Sequence, residues 1–278
     1  MDRAPLVLVT RPEGPGRLLA ARLRDAGSGS GVSALWWPAF DLVPLPDDPA
    51  LQAALARLAE FDLAVFVSPA AVRSCARALR TPWPESAAIA AVGAGTRQAV
   101  LACIPEARRA RIVAPSDDAA AGGGSEALLS ALRRANLAPA RVLVVRAQRG
   151  RELLADALAQ AGAQVEQVAA YRRTVHRPDS CAWAALRAIR DPGRPIVPFL
   201  SSSEGVDALR EQLAAGMPPL PWNEIRAALC LHPRIAGALA AHGVADAIVC
   251  EADAASILDG LRRISEINSE IRSGTLAS

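Results

Sequence analysis

Tyr171, the single tyrosine of the chain, has the side chain and position best suited to acid catalysis. Residues 142–173 are predicted to form a buried strand, a polar turn, an amphipathic helix and a second strand, which ends at Tyr171. A tyrosine hydroxyl ordinarily ionises at about pH 10, so at neutral pH it is protonated and can donate a proton. The same position, at the end of the last strand of its domain, also suits a half-buried tyrosine that braces a hinge.

The three histidines are weaker candidates for acid–base chemistry. His232 follows a predicted strand, where it could orient an anion or fill the turn, and His242 lies where it would complement a helix C-terminus. His176 lies in a polar segment between predicted domains. No paired carboxylates, Ser-His-Asp order or metal-ligand spacing accompanies them, so we predict no metal site.

A second group of candidates consists of small or hydroxylic turns that follow predicted strands and lead toward helices. Its members are Thr10-Arg11-Pro12, Ser68-Pro69, residues 93–96, Pro115-Ser116 with residues 122–125, Arg146, residues 201–203 and His232-Pro233-Arg234. A helix N-terminus has free N–H groups and a partial positive charge, worth about 0.3–1 kcal/mol per anion. The same residue types are ordinary helix caps, so each turn alone allows both interpretations. Together they favour a ligand with several carboxylates or phosphates.

Composition excludes several classes of chemistry. Every cation in the Lys+Arg count of 31 is arginine, which excludes Schiff-base chemistry, pyridoxal phosphate anchoring and a P-loop lysine. The formal charge of +3, with no basic run interleaved with aromatics, gives no indication of nucleic-acid binding. Gly93 and Gly95 lack the third glycine of a dinucleotide fingerprint.

An internal repeat indicates two related domains. Six residues recur 135 positions later: Leu18, Leu19, Ala20, Leu23, Ala26 and Gly27 match Leu153, Leu154, Ala155, Leu158, Ala161 and Gly162. Predicted strands alternate with single helices, which is typical of parallel sheets covered on both faces. The middle segment supplies five strands, and the N-terminal two with the C-terminal three supply five more.

We therefore predict an α/β fold with two flavodoxin-like parallel-sheet domains, one inserted into the other and joined by a two-stranded linker. The discontinuous domain comprises residues 1–37 and 179–278, the inserted domain residues 47–170, and the linkers residues 38–46 and 171–178. Ligands of such folds bind beyond the carboxyl ends of the strands. Two domains whose strand ends face each other would surround one large anionic ligand.

The cellular setting is predicted from what the sequence lacks. Five widely spaced cysteines without a C-x-x-C pair are typical of free thiols in a reducing compartment. No signal peptide and no apolar run of membrane-spanning length is evident. We therefore expect a cytoplasmic, monomeric protein with no membrane partner.

Short motifs follow one another along the chain: Val-Thr-Arg-Pro (9–12), Ser-x-x-Ala-Val (68–72), Val-Gly-x-x-Thr (92–96), Ser-Glu-x-Leu (125–128), and Gly-Arg-x-x-Leu through Gly-Ala-x-Val to Tyr-x-Arg (150–173). This ordered set resembles the uroporphyrinogen-III synthase family. Ser201 and Ser202 fall where the family has a Phe-Ser strand end. These motifs cover nearly the whole chain in order, and the inserted-domain topology agrees with the family's.

The resemblance implies a lyase that needs neither cofactor nor metal. Its substrate would be hydroxymethylbilane, a linear tetrapyrrole with eight carboxylates, whose terminal hydroxyl leaves as water. Ring D is then inverted through a spiro intermediate, and the macrocycle closes as uroporphyrinogen III.

Carried over residue by residue, the resemblance makes Tyr171 the candidate catalytic residue, as proton donor for hydroxyl departure either directly or through water. Candidate substrate-binding residues are Thr10, Arg11, Ser68, Thr96, Ser125, Arg146, Ser201, Ser202 and Arg234. The chain departs from the family at His232-Pro233-Arg234, where many members have Gly-Pro-Thr-like residues, and Arg234 could replace a hydroxyl contact with a charged one.

Two other functions share parts of this pattern. A non-catalytic two-lobed sensor for an anionic small molecule would use the hinge and helix N-termini without needing Tyr171. A nucleotide-sugar or phosphate-transferring enzyme would also have facing α/β domains, but it should show a clear acid or base and a basic residue for phosphate. The missing lysine and the few histidines count against the second of these.

Overall fold

The computed structural model describes residues 4–115, 125–149, 152–190 and 194–275; Ser116 and residues 122–124, named above as turn candidates, lie outside these ranges. The strands are β1 Leu6–Val9, β2 Ser33–Trp36, β3 Phe40–Pro44, β4 Leu63–Phe66, β5 Ala88–Ala91, β6 Ile112–Val113, β7 Arg141–Ala147, β8 Gln164–Val175, β9 Ile196–Leu200, β10 Ala227–Cys230 and β11 Asp246–Val249. The α-helices are α1 Pro15–Gly27, α2 Pro49–Ala56, α3 Pro69–Ala78, α4 Ala94–Cys103, α5 Ser125–Arg134, α6 Leu153–Gln160, α7 Ser180–Ile189, α8 Glu204–Ala214, α9 Pro233–Ala241 and α10 Ala254–Thr275.

The chain divides into two compact units, which are described separately. Unit 1 comprises Met1–Asp41 and Thr174–Ser278, and unit 2 comprises Leu42–Arg173. The boundaries fall inside β3 and β8, which are neighbours in one sheet. The predicted α/β class with two parallel-sheet domains is confirmed.

Unit 1 is built on a five-stranded sheet in the order β11-β10-β9-β1-β2, with parallel neighbours throughout. Side chains of β1 alternate between its two faces: Leu6 and Leu8 join one core, and Val7 and Val9 join the other. Helices α7, α8 and α9 cover the first face, and α1 and α10 cover the second. The continuous apolar run of β1 reflects burial on both faces.

Unit 2 is built on a six-stranded sheet in the order β3-β8-β7-β4-β5-β6, whose strands from β8 to β6 are parallel. The same alternation places Ala64 and Phe66 of β4 in a core with α2, α3 and α4. Leu63 and Val65 lie in the opposite core, which α5 and α6 cover. The extra edge strand is β3, which lies within residues 38–46, predicted above as a linker.

The two sheets follow one plan in different chain order. Read from one edge, unit 1 runs β2-β1-β9-β10-β11 and unit 2 runs β8-β7-β4-β5-β6. The repeated pair β1-β2 therefore corresponds to β7-β8, as the 135-residue offset indicates. In this flavodoxin-like order the topological switch point, where ligands bind in such sheets, lies between β1 and β9 in unit 1 and between β7 and β4 in unit 2.

One local expectation is wrong: Tyr171 does not end its strand, because β8 continues to Val175. At the C-terminus, α10 continues to Thr275. Across the described ranges, no helix is both long and apolar enough to cross a membrane.

Candidate functional site

The carboxyl edge of the unit 2 sheet carries Tyr171, Arg146, Ser68 and Thr96, which belong to or follow four neighbouring strands. These strands, β8, β7, β4 and β5, are parallel, so they present their carboxyl ends at one edge. Ser68 follows β4 and Arg146 is the penultimate residue of β7, which places them on the two sides of the switch point. The sequence-based grouping of these turns therefore has a common location within unit 2.

A β-bulge brings Tyr171 to this position. Residue pairing between β7 and β8 passes from Arg146↔Ala169 to Ala147↔Tyr171, so Ala170 is the extra residue. Ala170 and Tyr171 consequently both lie in the same core cluster, where regular alternation would have sent them to opposite faces. The bulge thus turns the phenol toward β4, and bulges of this kind commonly re-aim a side chain beside a functional site.

The Tyr171 and Ser68 hydroxyl groups form a hydrogen bond of 3.1 Å, in which either oxygen could be the donor. Tyr171 is only 3% exposed, whereas Ser68 is half-buried. Ser68 is also the N-cap of α3: its Oγ accepts a hydrogen bond from the Ala71 N–H at 3.1 Å. Capping and contact with Tyr171 therefore occur together at this residue.

Arg146 is held by neighbours on β8 and beyond β7. Its guanidinium donates to Gln167 Oε1 at 2.6 Å and lies 3.8 Å from Glu152 Oε1. Together with Gln148 and Arg149 these residues line an open concavity of about 460 Å³. Gln167 has no distinguishing feature in the sequence, because a polar residue in a strand is ordinarily interpreted as solvent-facing.

Thr96 and Ser125 are less closely associated with the phenol. Thr96 lies in the first turn of α4 and is 3% exposed, so it is buried where the sequence suggested an accessible turn. Ser125 opens α5 directly after residues that lie outside the described ranges.

The carboxyl edge of the unit 1 sheet gathers Thr10, Arg11, Ser201, Ser202 and Arg234. They follow β1, β9 and β10, which are adjacent and parallel. The Thr10 hydroxyl donates to the Phe199 carbonyl at 2.8 Å and is 3% exposed, so it ties β1 to β9.

Ser202 and Arg234 belong to helix starts at this edge. Ser202 Oγ accepts from the Gly205 N–H at 3.2 Å, which is a capping contact in the first turn of α8. His232 is the N-cap of α9, and its Nδ1 accepts from the Arg234 N–H at 3.1 Å. His232 therefore fills the turn, and the exposed Arg234 side chain is the charged group of that loop.

The remaining histidines have carboxylate partners. His242, at the C-cap of α9, places Nε2 3.0 Å from Asp207 Oδ1. His176 Nδ1 lies 2.8 Å from Asp41 Oδ1.

Arg11 is the half-buried cation of the unit 1 edge. Burial lowers the pKa of its guanidinium below the ordinary arginine value, and no salt bridge to a carboxylate from the described residues compensates for that burial. Its backbone carbonyl accepts a hydrogen bond from Trp36 Nε1 at 3.0 Å. In the sequence, Trp36 cannot be distinguished from a core residue, because it stands next to the buried Trp37.

The chemical repertoire of the described residues is a buried phenol with a hydroxyl partner, several helix N-termini and arginines at two sheet edges. This set can donate a proton and bind carboxylates. Among the described residues, no group of three His, Cys, Asp or Glu side chains could hold a metal ion.

A family model and two related proteins all identify the same protein family. Residues 19–258 match the family model described as uroporphyrinogen-III synthase HemD. Uroporphyrinogen-III synthase from Escherichia coli (strain K12) is 32% identical over 170 residues, which cover 60% of this chain and 64% of that protein. The protein of the same name from Salmonella typhimurium is 32% identical over 171 residues, with the same coverage of 60% and 64%. The match thus spans slightly less than two thirds of the length of these relatives.

Solved structures show the same fold. A variant of uroporphyrinogen III synthase from Thermus thermophilus superposes with a TM-score of 0.55 at 20% identity, covering 95% of this chain and 99% of that one. Uroporphyrinogen-III synthetase from Helicobacter pylori gives a TM-score of 0.53 at 14% identity, covering 94% and 98%.

Proposed function

Because this chain belongs to the uroporphyrinogen-III synthase family, we propose that it cyclises hydroxymethylbilane to uroporphyrinogen III, with loss of water and inversion of ring D through a spiro intermediate. The observation that carries the proposal is the family match over residues 19–258. The reaction it assigns needs a proton for the departing hydroxyl and contacts for eight carboxylates, and the described residues offer both kinds of group.

Tyr171 is proposed as the source of the proton. Protonation of the terminal hydroxyl lets it leave as water and generates the electrophilic azafulvenium cation. The substituted carbon of ring D attacks this centre to form the spiro intermediate, which reopens and recloses with ring D inverted. The ring proton lost on closure restores the proton that the phenol supplied, so that one water is the net by-product.

A positioned acid typically contributes about 10²–10⁴-fold to such a step. The electron-rich pyrrole drives much of the ionisation, so we expect the larger contribution to come from holding the chain in the conformation that favours spiro closure. Loss of Tyr171 should then slow the reaction without abolishing it.

Substrate carboxylates are proposed to bind at the helix N-termini and at the arginines of the strand ends. Arg11 supports this role most directly, because it is half-buried and no carboxylate among the described residues neutralises it. Arg234 is exposed at the start of α9, where helix dipole and side-chain charge both favour an anion. Further contacts would come from the serines of the turns, namely Ser68, Ser125, Ser201 and Ser202. Thr10 and Thr96 are buried and Arg146 is paired with neighbouring side chains, so these three would act mainly by shaping the walls of the site.

We also propose that the protein acts in the cytoplasm as a monomer without a cofactor. The five free cysteines suit a reducing compartment. Sedimentation at several protein concentrations would test the monomer.

The function is tested by the isomer that forms. Hydroxymethylbilane generated enzymatically in the assay is allowed to cyclise with and without the protein, and the porphyrins are separated after oxidation. Type III isomer in excess over the spontaneous type I supports the proposal. Type I alone, with a folded protein that still binds the linear tetrapyrrole, would instead support the non-catalytic sensor.

A further inference from the structure

The buried state of Tyr171 raises the question of how its proton reaches a substrate. The side chain is 3% exposed, and its hydroxyl lies 3.1 Å from Ser68 Oγ. Ser68 is half-buried and directly follows β4, which is two strands away from β8 in the sheet order. Ser68 is therefore the more exposed residue of this hydrogen-bonded pair.

We propose that Ser68 relays the proton of Tyr171, passing its own hydroxyl proton to the departing hydroxyl of the substrate while it receives the phenolic one. This inference rests on the proposed function and assigns to Ser68 a direct part in the step that releases water.

The hydrogen-bonding capacity of Ser68 fits this role. A serine hydroxyl has one proton to donate and two lone pairs to accept. One lone pair receives the Ala71 N–H at 3.1 Å, and the other can receive the Tyr171 O–H. The serine proton is then left to point toward a third partner. Accepting two hydrogen bonds also polarises the Ser68 O–H and makes it a better donor.

The surrounding backbone holds this geometry. Ser68 has an extended conformation, with φ −167° and ψ 159°, and Pro69 follows it at the first position of the ten-residue helix α3. The positive end of this helix lies beside the phenol and favours the phenolate that remains after the transfer. On the other side, the bulge at Ala170 fixes the direction of Tyr171.

The proton count balances. The substrate C–O bond breaks, its oxygen receives the Ser68 proton, and water leaves with the bonding electron pair. Ser68 Oγ receives the Tyr171 proton in the same event and stays neutral, so the negative charge appears on the phenol oxygen. The ring proton lost when the macrocycle closes returns along the same pair of hydroxyls.

The test is a double-mutant cycle of Ser68→Ala and Tyr171→Phe, read as the single-turnover rate of type III formation. In a relay, either change breaks the same proton path. Each single variant should therefore lose about 10²-fold, and the double variant should lose about the same rather than the roughly 10⁴-fold product of independent effects. Ser68→Thr, which keeps both hydroxyl and cap, should retain rates near the wild type.

Loss of the helix cap is controlled in two ways. Ser68→Asn keeps a capping oxygen but has no hydroxyl, and it should be as slow as Ser68→Ala while melting close to the wild type. Asp48→Ala removes the N-cap of α2, whose carboxylate accepts from the Ala50 and Leu51 N–H groups, and it should lower Tm by about 2–4 °C with an unchanged rate.

The outcomes separate the two proposals. Wild-type protein that forms only type I would overturn the proposed function itself. Wild-type protein that forms type III while Ser68→Ala or Ser68→Asn keeps the full rate, or while the two losses multiply in the double variant, overturns the relay alone.

Discussion

Trp36 donates its indole N–H to the backbone carbonyl of Arg11 at 3.0 Å and so fixes the turn that follows the first strand of unit 1. The Arg17 guanidinium lies over the same ring, 3.8 Å from its centroid. The indole thereby organises two arginines at one sheet edge, one through its N–H and one through its face.

Arg11→Gln should weaken substrate binding more than it slows chemistry. A hydrogen bond to a charged partner contributes about 1.5–3 kcal/mol, so KM should rise by about 10- to 100-fold with a smaller change in kcat. Arg22→Gln, on the exposed face of α1, is the matched control and should leave both constants unchanged. Steady-state kinetics of type III formation give both values, and an unchanged KM for Arg11→Gln would remove this residue from the carboxylate contacts.

Gly16→Ala should disturb the same turn through packing. A Cβ at this position would overlap the Arg11 carbonyl oxygen and lie 2.6 Å from Trp36 Nε1. We expect a loss of about 1–3 kcal/mol in the free energy of unfolding, because overpacking forces the backbone to shift. Gly95→Ala is the comparison, since its nearest neighbour would be Pro69 Cγ at 3.9 Å and alanine favours the helix. Urea unfolding that ranks the two variants equally would contradict the steric account.

Tyr171→Phe should lower the single-turnover rate of type III formation by about 10²-fold while type III remains the product. The ring stays in its core, so the main structural loss is the hydrogen bond to Ser68, worth about 1 kcal/mol. Product isomers and rate are measured together, because a switch to type I would mean that the phenol controls conformation rather than proton transfer. A rate equal to that of the wild type would exclude a catalytic role.

Gln212→Met should destabilise unit 1. The Gln212 Nε2 donates to the carbonyls of Pro38, Ala39 and His176 at 2.8, 3.3 and 2.9 Å, and the residue is 3% exposed. Methionine fills a similar volume but leaves buried carbonyls without this donor, which costs about 1–3 kcal/mol. Gln160→Met, at an exposed position of α6, should leave the free energy of unfolding unchanged. Equal stability of the two variants would show that the three carbonyls find other donors.

Cys75 should make stability fall at high pH. Burial raises the pKa of its thiol from 9.0 to about 12. The neutral thiol is favoured in the folded state, so this contribution is fully present below pH 9 and is lost as the pH rises toward 12. The difference between wild type and Cys75→Ala should therefore change by up to about 1.4 kcal/mol per pH unit above pH 9. Parallel pH dependences of the two unfolding free energies, measured from pH 8 to 10.5, would contradict this assignment.

The architecture was predictable because its signals are local and repeated. Continuous apolar strands such as residues 142–145, each followed by one amphipathic helix, leave few options besides covered parallel sheets. The offset between Leu18 and Leu153 by itself indicates the corresponding parts of the two units.

The site was only partly predictable, for a physical reason in each case. A bulge at Ala170 sets the direction of the Tyr171 side chain, and no residue type in the sequence predicts a bulge of this kind. Thr10 and Ser202 are used for strand and helix-end contacts, and a hydroxyl that caps a helix has the same sequence appearance as one that binds a ligand. Trp36 was missed since its role depends on a carbonyl 25 residues away.

The matching strand orders imply that each sheet is assembled from both halves of the polypeptide. β1 and β7 begin 135 residues apart, at Leu6 and Arg141, and β4 and β9 begin 133 apart, at Leu63 and Ile196. The chain thus consists of two consecutive halves of similar strand arrangement, each of which contributes its first two strands to the sheet of the other half. Severing it between α5 and β7 would leave two fragments that each hold only part of both sheets, and only their co-expression should restore folded material.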